Sequence, residues 1–173
     1  MNNSIILESK FTKHQKTHLT LILGMPIIIV ILKVLSTDLN ERGYGSLLLL
    51  MAVLLLIIAL QFLEIGLLKK KGNLYRGTFF FGRLLLKEKI NLQSKTKVSI
   101  LKLTKRQKMA WFSIANPDLA LSYYRNDITL LNNKHTEKEV LVSLDNEALA
   151  NKTIQFLEEN FGLIHEVYSP DFS

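Results

Sequence analysis

The chain has no cysteine, which excludes disulfides, thiolate metal ligands and a cysteine nucleophile. Proline occurs three times in 173 residues, and only Pro26 falls within an apolar run. The glycines never gather into a phosphate-cradling loop, and neither a nucleophile elbow nor a close pair of carboxylates is present. His14 and His18 stand four apart, but "HQKTH" lacks the glutamate of the zinc-protease motif; His135 sits in a turn signal and His165 in the tail. These absences point away from an enzyme: we expect no catalytic residue, no metal site and no cofactor. One further absence matters most. No charged residue occurs from 43 through 63.

What fills that gap is "SLLLLMAVLLLIIALQFLEIGLL", residues 46–68, long enough as a helix to cross a bilayer and apolar on every face. An earlier run, "LTLILGMPIIIVILKVL" at 19–35, is shorter and carries Pro26, expected to kink it, and Lys33, able to snorkel to the interface. Only "STDLNERGYG" lies between them, so the two spans form an antiparallel hairpin. Lys10, Lys13 and Lys16 precede the first span, Lys69, Lys70 and Lys71 follow the second as interface anchors, and the loop offers only Arg42. By the positive-inside rule both termini are expected in the cytoplasm. No small-residue cleavage site follows the first run, which argues against a signal peptide. The expected division is a cytoplasmic segment 1–18, a two-helix hairpin 19–68 and a cytoplasmic domain 69–173.

Two details of this region invite chemistry. In "QFLEIGLLKKKG" a carboxylate, Glu64, stands about one helical turn inside the lysines. On a helix, Gln61 and Glu64 share a face and meet the near end of the first span, around Lys16, His18 and Thr20. We expect a polar clasp of Gln61, Glu64 and His18 there, the alternative being an ion-relay carboxylate. "RGYGS" resembles a potassium-filter tripeptide, but the connection is too short for a pore helix, and Gly43 and Gly45 are read as a turn.

After the lysines the period changes from helical to alternating. Strands are expected at 74–81, 84–92, 97–104, 109–115, 119–124, 127–132 and 139–144, with a hairpin turn at Gly82-Arg83 and turn signals "TKRQK", "NPD", "RND" and "NNKHTE" between later ones. A helix follows, capped by Asp145 or Asn146, with Ala150, Ile154, Leu157 and Phe161 on one stripe and Gly162 as its stop. The tail "LIHEVYSPDF" adds a possible edge strand, and "NSIILESKF" at the start is either an interfacial segment or an extra strand. Seven antiparallel strands closed by one amphipathic helix, with segments such as "LYRGTFFFGRLLLKEKINL", resemble the bacterial two-span membrane proteins that carry a cytoplasmic pleckstrin-homology-like (PH-like) domain. The resemblance implies an α+β membrane protein: a transmembrane α-helical hairpin followed by a PH-like antiparallel β-sandwich or barrel and a C-terminal amphipathic helix. It does not imply inositide recognition, because the first hairpin tip offers only Arg83.

Between 95 and 108 lie Lys95, Lys97, Lys102, Lys105, Arg106 and Lys108 without an acidic residue. Three or four of them facing anionic lipid gain roughly 3–4 kcal/mol, at about 1 kcal/mol each. The same pattern also suits a solvated strand edge kept from aggregating. Of the adjacent aromatic pairs Trp111-Phe112 and Tyr123-Tyr124, one member each is expected in the core. The functional expectation is a membrane-anchored binding or scaffold module at the inner membrane, with lipids and a protein as partners and no nucleic acid. The alternative is a small accessory subunit of a larger membrane complex, with the helical hairpin as its working part.

Overall fold

The computed structural model describes residues 3–107 and 121–171. The chain is α+β, with two four-stranded sheets. Strand β1 (Ser4–Ser9) comes first, followed by helical segments α1 (Lys13–His18) and α2 (Met25–Leu35), then α3 (Glu41–Leu60). Strands β2 (Leu63–Lys70), β3 (Asn73–Phe80), β4 (Arg83–Ile90), β5 (Lys97–Gln107), β6 (Leu121–Leu131) and β7 (Lys138–Leu144) follow. Helix α4 (Glu147–Phe161) and the short β8 (Ile164–His165) end the described chain.

The first sheet has the order β1-β2-β3-β4. The Lys10 amide donates to the Leu63 carbonyl at 2.7 Å and the Lys69 amide to Asn3 at 2.8 Å, so β1 and β2 run antiparallel. The N-terminal segment is therefore a strand, and the helical hairpin is inserted between β1 and β2. Two-residue turns join the next strands. Lys71 and Gly72 have φ of 51° and 76°, and Phe81 and Gly82 have 46° and 76°, the paired positive values of a type I′ turn. The second turn thus centres on Phe81-Gly82, one residue before the expected Gly82-Arg83. Gly82 takes the second left-handed position, which glycine occupies without strain, and this sets the turn.

The second sheet has the order β7-β6-β5-β8. β5 and β6 pair antiparallel over eleven residues, from Lys97 opposite Leu131 to Gln107 opposite Leu121. β6 absorbs two expected strands, so "RND" is not a turn: Arg125, Asn126 and Asp127 continue the ladder opposite Leu103, Lys102 and Leu101. Where β6 meets β7 the register slips at Ile128/Thr129, and Leu141 is the extra residue. The bulge turns both Leu141 and Val142 inward, while Val140 stays exposed. β8 pairs parallel to the start of β5. The expected strand 109–115, with Trp111 and Phe112, lies outside the described residues.

Two compact units organise these elements: residues 1–7, 67–76 and 88–173, and residues 8–66 and 77–87. In the first, α4 packs on β5, β6, β7 and β8. The Asn146 side chain accepts from the Ala148 and Leu149 amides at 2.8 and 3.3 Å, and Gly162 ends the helix in the left-handed region at φ 65°. The stripe Ala150, Ile154 and Leu157 is buried against Val98, Ile128, Leu130, Leu141 and Leu144 of the same core.

The second unit holds the helical hairpin. Its first helix runs unbroken from Lys13 to Leu35 and begins in a capping box, with Thr12 and Gln15 exchanging side-chain and backbone bonds. Ahead of Pro26, residues Leu19–Gly24 form a π-helical segment, in which the Met25 amide reaches back five residues to the Thr20 carbonyl. Proline lacks an amide proton and crowds the preceding turn, and the wider turn relieves both. α3 starts from Asn40, whose side chain accepts from the Gly43 amide at 2.9 Å. Gly43 and Gly45 are thus inside the helix, not in the turn before it. The helix ends at Leu60, not at the expected 68. Residues 63–68 belong to β2: a run apolar but for Glu64 suits either period, and here the pairing with β1 decides.

Candidate functional site

The exposed face of the helical hairpin is the largest chemical feature of the second unit. Fifteen aliphatic side chains of these helices, from Leu21 and Ile22 to Leu56 and Ile58, are exposed, and so is Tyr44. Only 6% of the most apolar window of Glu41–Leu60 is buried. Ile31 and Ile57 are the buried exceptions. Both helices, 23 and 20 residues long, are long and apolar enough to cross a membrane.

Polar groups gather where α3 ends. The Gln61 side-chain amide donates to Thr20 Oγ1 at 3.1 Å, tying the end of one helix to the other. Of the expected clasp only Gln61 takes part. Glu64 lies in β2, beyond the helix, so it does not share a helical face with Gln61. His18 turns to its own helix, with Nε2 3.0 Å from Nε2 of His14 and the rings edge to face. Among the described residues no group of three histidine or acidic side chains could hold a metal ion.

Several of the lysines singled out in the sequence have partners within the fold. Lys69 donates to the Asn160 carbonyl at 2.6 Å and its ammonium lies 5.6 Å from the Phe161 ring centre. Its ammonium thus lies at the carbonyl end of α4, where the helix dipole favours a cation. Lys70 is exposed and Lys71 occupies the β2–β3 turn. Lys95, Lys97 and Lys102 reach Glu137, Glu166 and Glu147 at 3.1, 2.7 and 2.9 Å. Their charge is matched within the unit, and the Lys95 and Lys97 side chains are mostly covered. Lys105 and Arg106 fall in β5, and Lys108 lies outside the described residues.

A polar cluster missed by sequence reasoning secures the C-terminal tail. His135 is buried at φ 57°, and its Nδ1 accepts from the Ser169 amide at 3.0 Å. That assignment leaves the proton on Nε2, which lies 3.2 Å from Glu166 Oε2, within ion-pair distance but not an aligned hydrogen bond. The hydrogen bond from Lys97 holds the Glu166 carboxyl below its ordinary value, with the Lys97 and His135 charges acting in the same direction against desolvation. The Tyr168 ring stacks on His135 with centroids 6.1 Å apart, and the Lys138 ammonium lies over the Tyr168 ring, 5.5 Å from its centre. Burial of a histidine between elements 30 residues apart leaves no local signal in the chain.

The β3–β4 hairpin completes the second unit's apolar surface. Phe62, just past α3, stacks on Phe81 at the hairpin tip with centroids 5.4 Å apart. No family model, curated protein or solved structure matches the chain.

Proposed function

We propose that the protein is anchored in a membrane by two helices and presents its sheet-and-helix unit as a binding or scaffold module beside the lipid surface. The carrying observation is the exposed apolar surface of Lys13–Leu35 and Glu41–Leu60. At about 1 kcal/mol for each half-exposed aliphatic side chain, leaving them in water forgoes roughly 15 kcal/mol of transfer free energy. That matches the whole net stability of an ordinary domain, about 5–15 kcal/mol. A bilayer removes this term, and α3, 20 residues long, spans about 30 Å of it.

Two independent features support one orientation, with both ends of the chain on the cytoplasmic side of an inner membrane. Lys10, Lys13 and Lys16 flank the first helix and Lys69, Lys70 and Lys71 follow the second, against Lys33 and Arg42 near the connecting loop. The pairing of β1 with β2 adds a geometric requirement, since strands at the two ends of the hairpin can bond only on the same side. We further read the β strands as PH-like. β1 to β4, then β5 to β7, then α4 supply seven strands and a closing helix, with the helical hairpin inserted after the first strand. The likeness is one of arrangement, and the module's partner is read as protein or lipid, not nucleic acid.

The absence of native cysteine makes the test direct. Asp38→Cys in the connecting loop and Asn91→Cys after β4 are each introduced into the full chain and exposed to an impermeant maleimide on spheroplasts. Asp38→Cys is expected to react on intact cells and Asn91→Cys only after lysis. Equal labelling of both on intact cells, or recovery of the chain in the soluble fraction, overturns the reading.

A further inference from the structure

The β3–β4 hairpin presents apolar side chains where an ordinary soluble hairpin presents polar ones. Phe81 is 70% exposed, and Leu84, Leu85 and Leu86 are also exposed. Because strand neighbours point to opposite faces, three successive exposed leucines make both faces of β4 apolar. β4 is also an edge of its sheet. In water such a strand invites aggregation, and nothing polar along Leu84 to Leu86 blunts it.

The turn itself goes against local preference. The first position of a type I′ turn favours asparagine, aspartate or glycine, yet Phe81 occupies it at φ 46°. A bulky residue held in the left-handed region marks a position kept for something other than backbone ease. Its ring stacks on Phe62 and meets Phe80 edge to face at 4.6 Å. Phe62 stands two residues beyond the end of α3. Within this one unit, the hairpin tip therefore sits level with the point where the helix ends.

From these observations we propose that the β3–β4 hairpin is a third membrane contact, its tip lying in the interfacial layer of an anionic bilayer. The inference rests on the anchoring reading above. Continuity argues for lipid as the occupant: the Phe62–Phe81 stack joins the hairpin's apolar surface to that of α3. Aromatic rings favour this depth, and the unpaired edge of β4 stays within reach of headgroups and water rather than in hydrocarbon. Charge agrees. Arg83 is exposed beside the tip, and Lys10 is held to the same hairpin by its ammonium donating to Thr78 Oγ1 at 3.3 Å.

The experiment uses the full chain in phosphatidylcholine–phosphatidylglycerol vesicles, with an environment-sensitive fluorophore at single cysteines. Leu85→Cys and Leu86→Cys report on the hairpin, Leu55→Cys on α3 and Gln155→Cys on the exposed face of α4. Nitroxide-bearing lipid is expected to quench the Leu85, Leu86 and Leu55 labels strongly, and iodide to quench the Gln155 label. Phe81→Asn keeps the turn and removes the ring, and is expected to weaken lipid quenching at Leu85 while leaving Leu55 unchanged. Quenching at Leu55 without quenching at Leu85 and Leu86 sinks the hairpin contact alone. Loss at Leu55 sinks the anchoring reading with it. Labels at Leu85 and Leu86 shielded from both quenchers point to a second protein copy on β4 and also overturn the proposal.

Discussion

Leucine is used in opposite ways in the two units. In the helical hairpin Leu48, Leu49, Leu55 and Leu56 face outward, while in the sheet-and-helix unit Leu67, Leu74, Leu130, Leu131 and Leu157 are fully buried. Composition is therefore a poor guide to which surface is the core. What separates the regions is where the apolar surface lies: one unit closes it into an interior, and the other leaves it on the outside of two long helices.

The sharpest way to break this contrast is to shorten one leucine in each region. Leu157→Ala opens a cavity in a closed core and is expected to lower stability by about 3 kcal/mol. Leu49→Ala on the exposed face of α3 is expected to change it by about 0.5 kcal/mol, the scale of leucine transfer to a bilayer. Denaturant titration in mild detergent, followed by circular dichroism, measures both, and equal effects would erase the distinction. A smaller effect belongs to the helix ends. Thr20→Val removes the acceptor of the Gln61 side chain, and interhelical bonds of this kind contribute about 0.6 kcal/mol. An unchanged unfolding midpoint for Thr20→Val, or for Gln61→Leu, would make the bond incidental.

The least effect lies on the exposed tail. The folded Glu166 carboxyl titrates below its unfolded value because Lys97 donates to it. Its contribution is therefore fully present above the unfolded carboxylate value and is lost as pH falls through the lowered folded one. Protease sensitivity of the tail is expected to rise over that acidic window, and Glu166→Gln is expected to flatten the dependence. A tail whose cleavage follows the same pH course in both chains would remove the link.

How far the chain could be read follows from how local its signals are. α4 was legible end to end, because Asn146, the stripe of Ala150, Ile154 and Leu157, and Gly162 all act within a few turns. The two apolar helices were legible from length alone. The end of the second was not, because Leu63 to Leu68 is apolar but for Glu64, which suits either period, and its partner strand lies far upstream. β1 was left undecided for the same reason. "RND" looked like a turn because its residues favour turns, whereas in the strand the Arg125 side chain donates to the Ser143 carbonyl at 2.8 Å. Lys95, Lys97 and Lys102 were visible as charge, but Glu137, Glu166 and Glu147, which match them, come from elsewhere in the chain.

The placement of the helices between β1 and β2 has a consequence for biogenesis. Ser9 and Leu63 come together across 54 residues. For a slack loop of that length the length-dependent closure entropy is roughly 3.5 kcal/mol. A helical hairpin that has already threaded the bilayer returns its two ends to one side and removes most of that penalty. In chain order β1 precedes both helices and its partner β2 follows them. On the anchoring proposed above, a chain that fails to insert would bear the full closure penalty and hold its first strand less firmly.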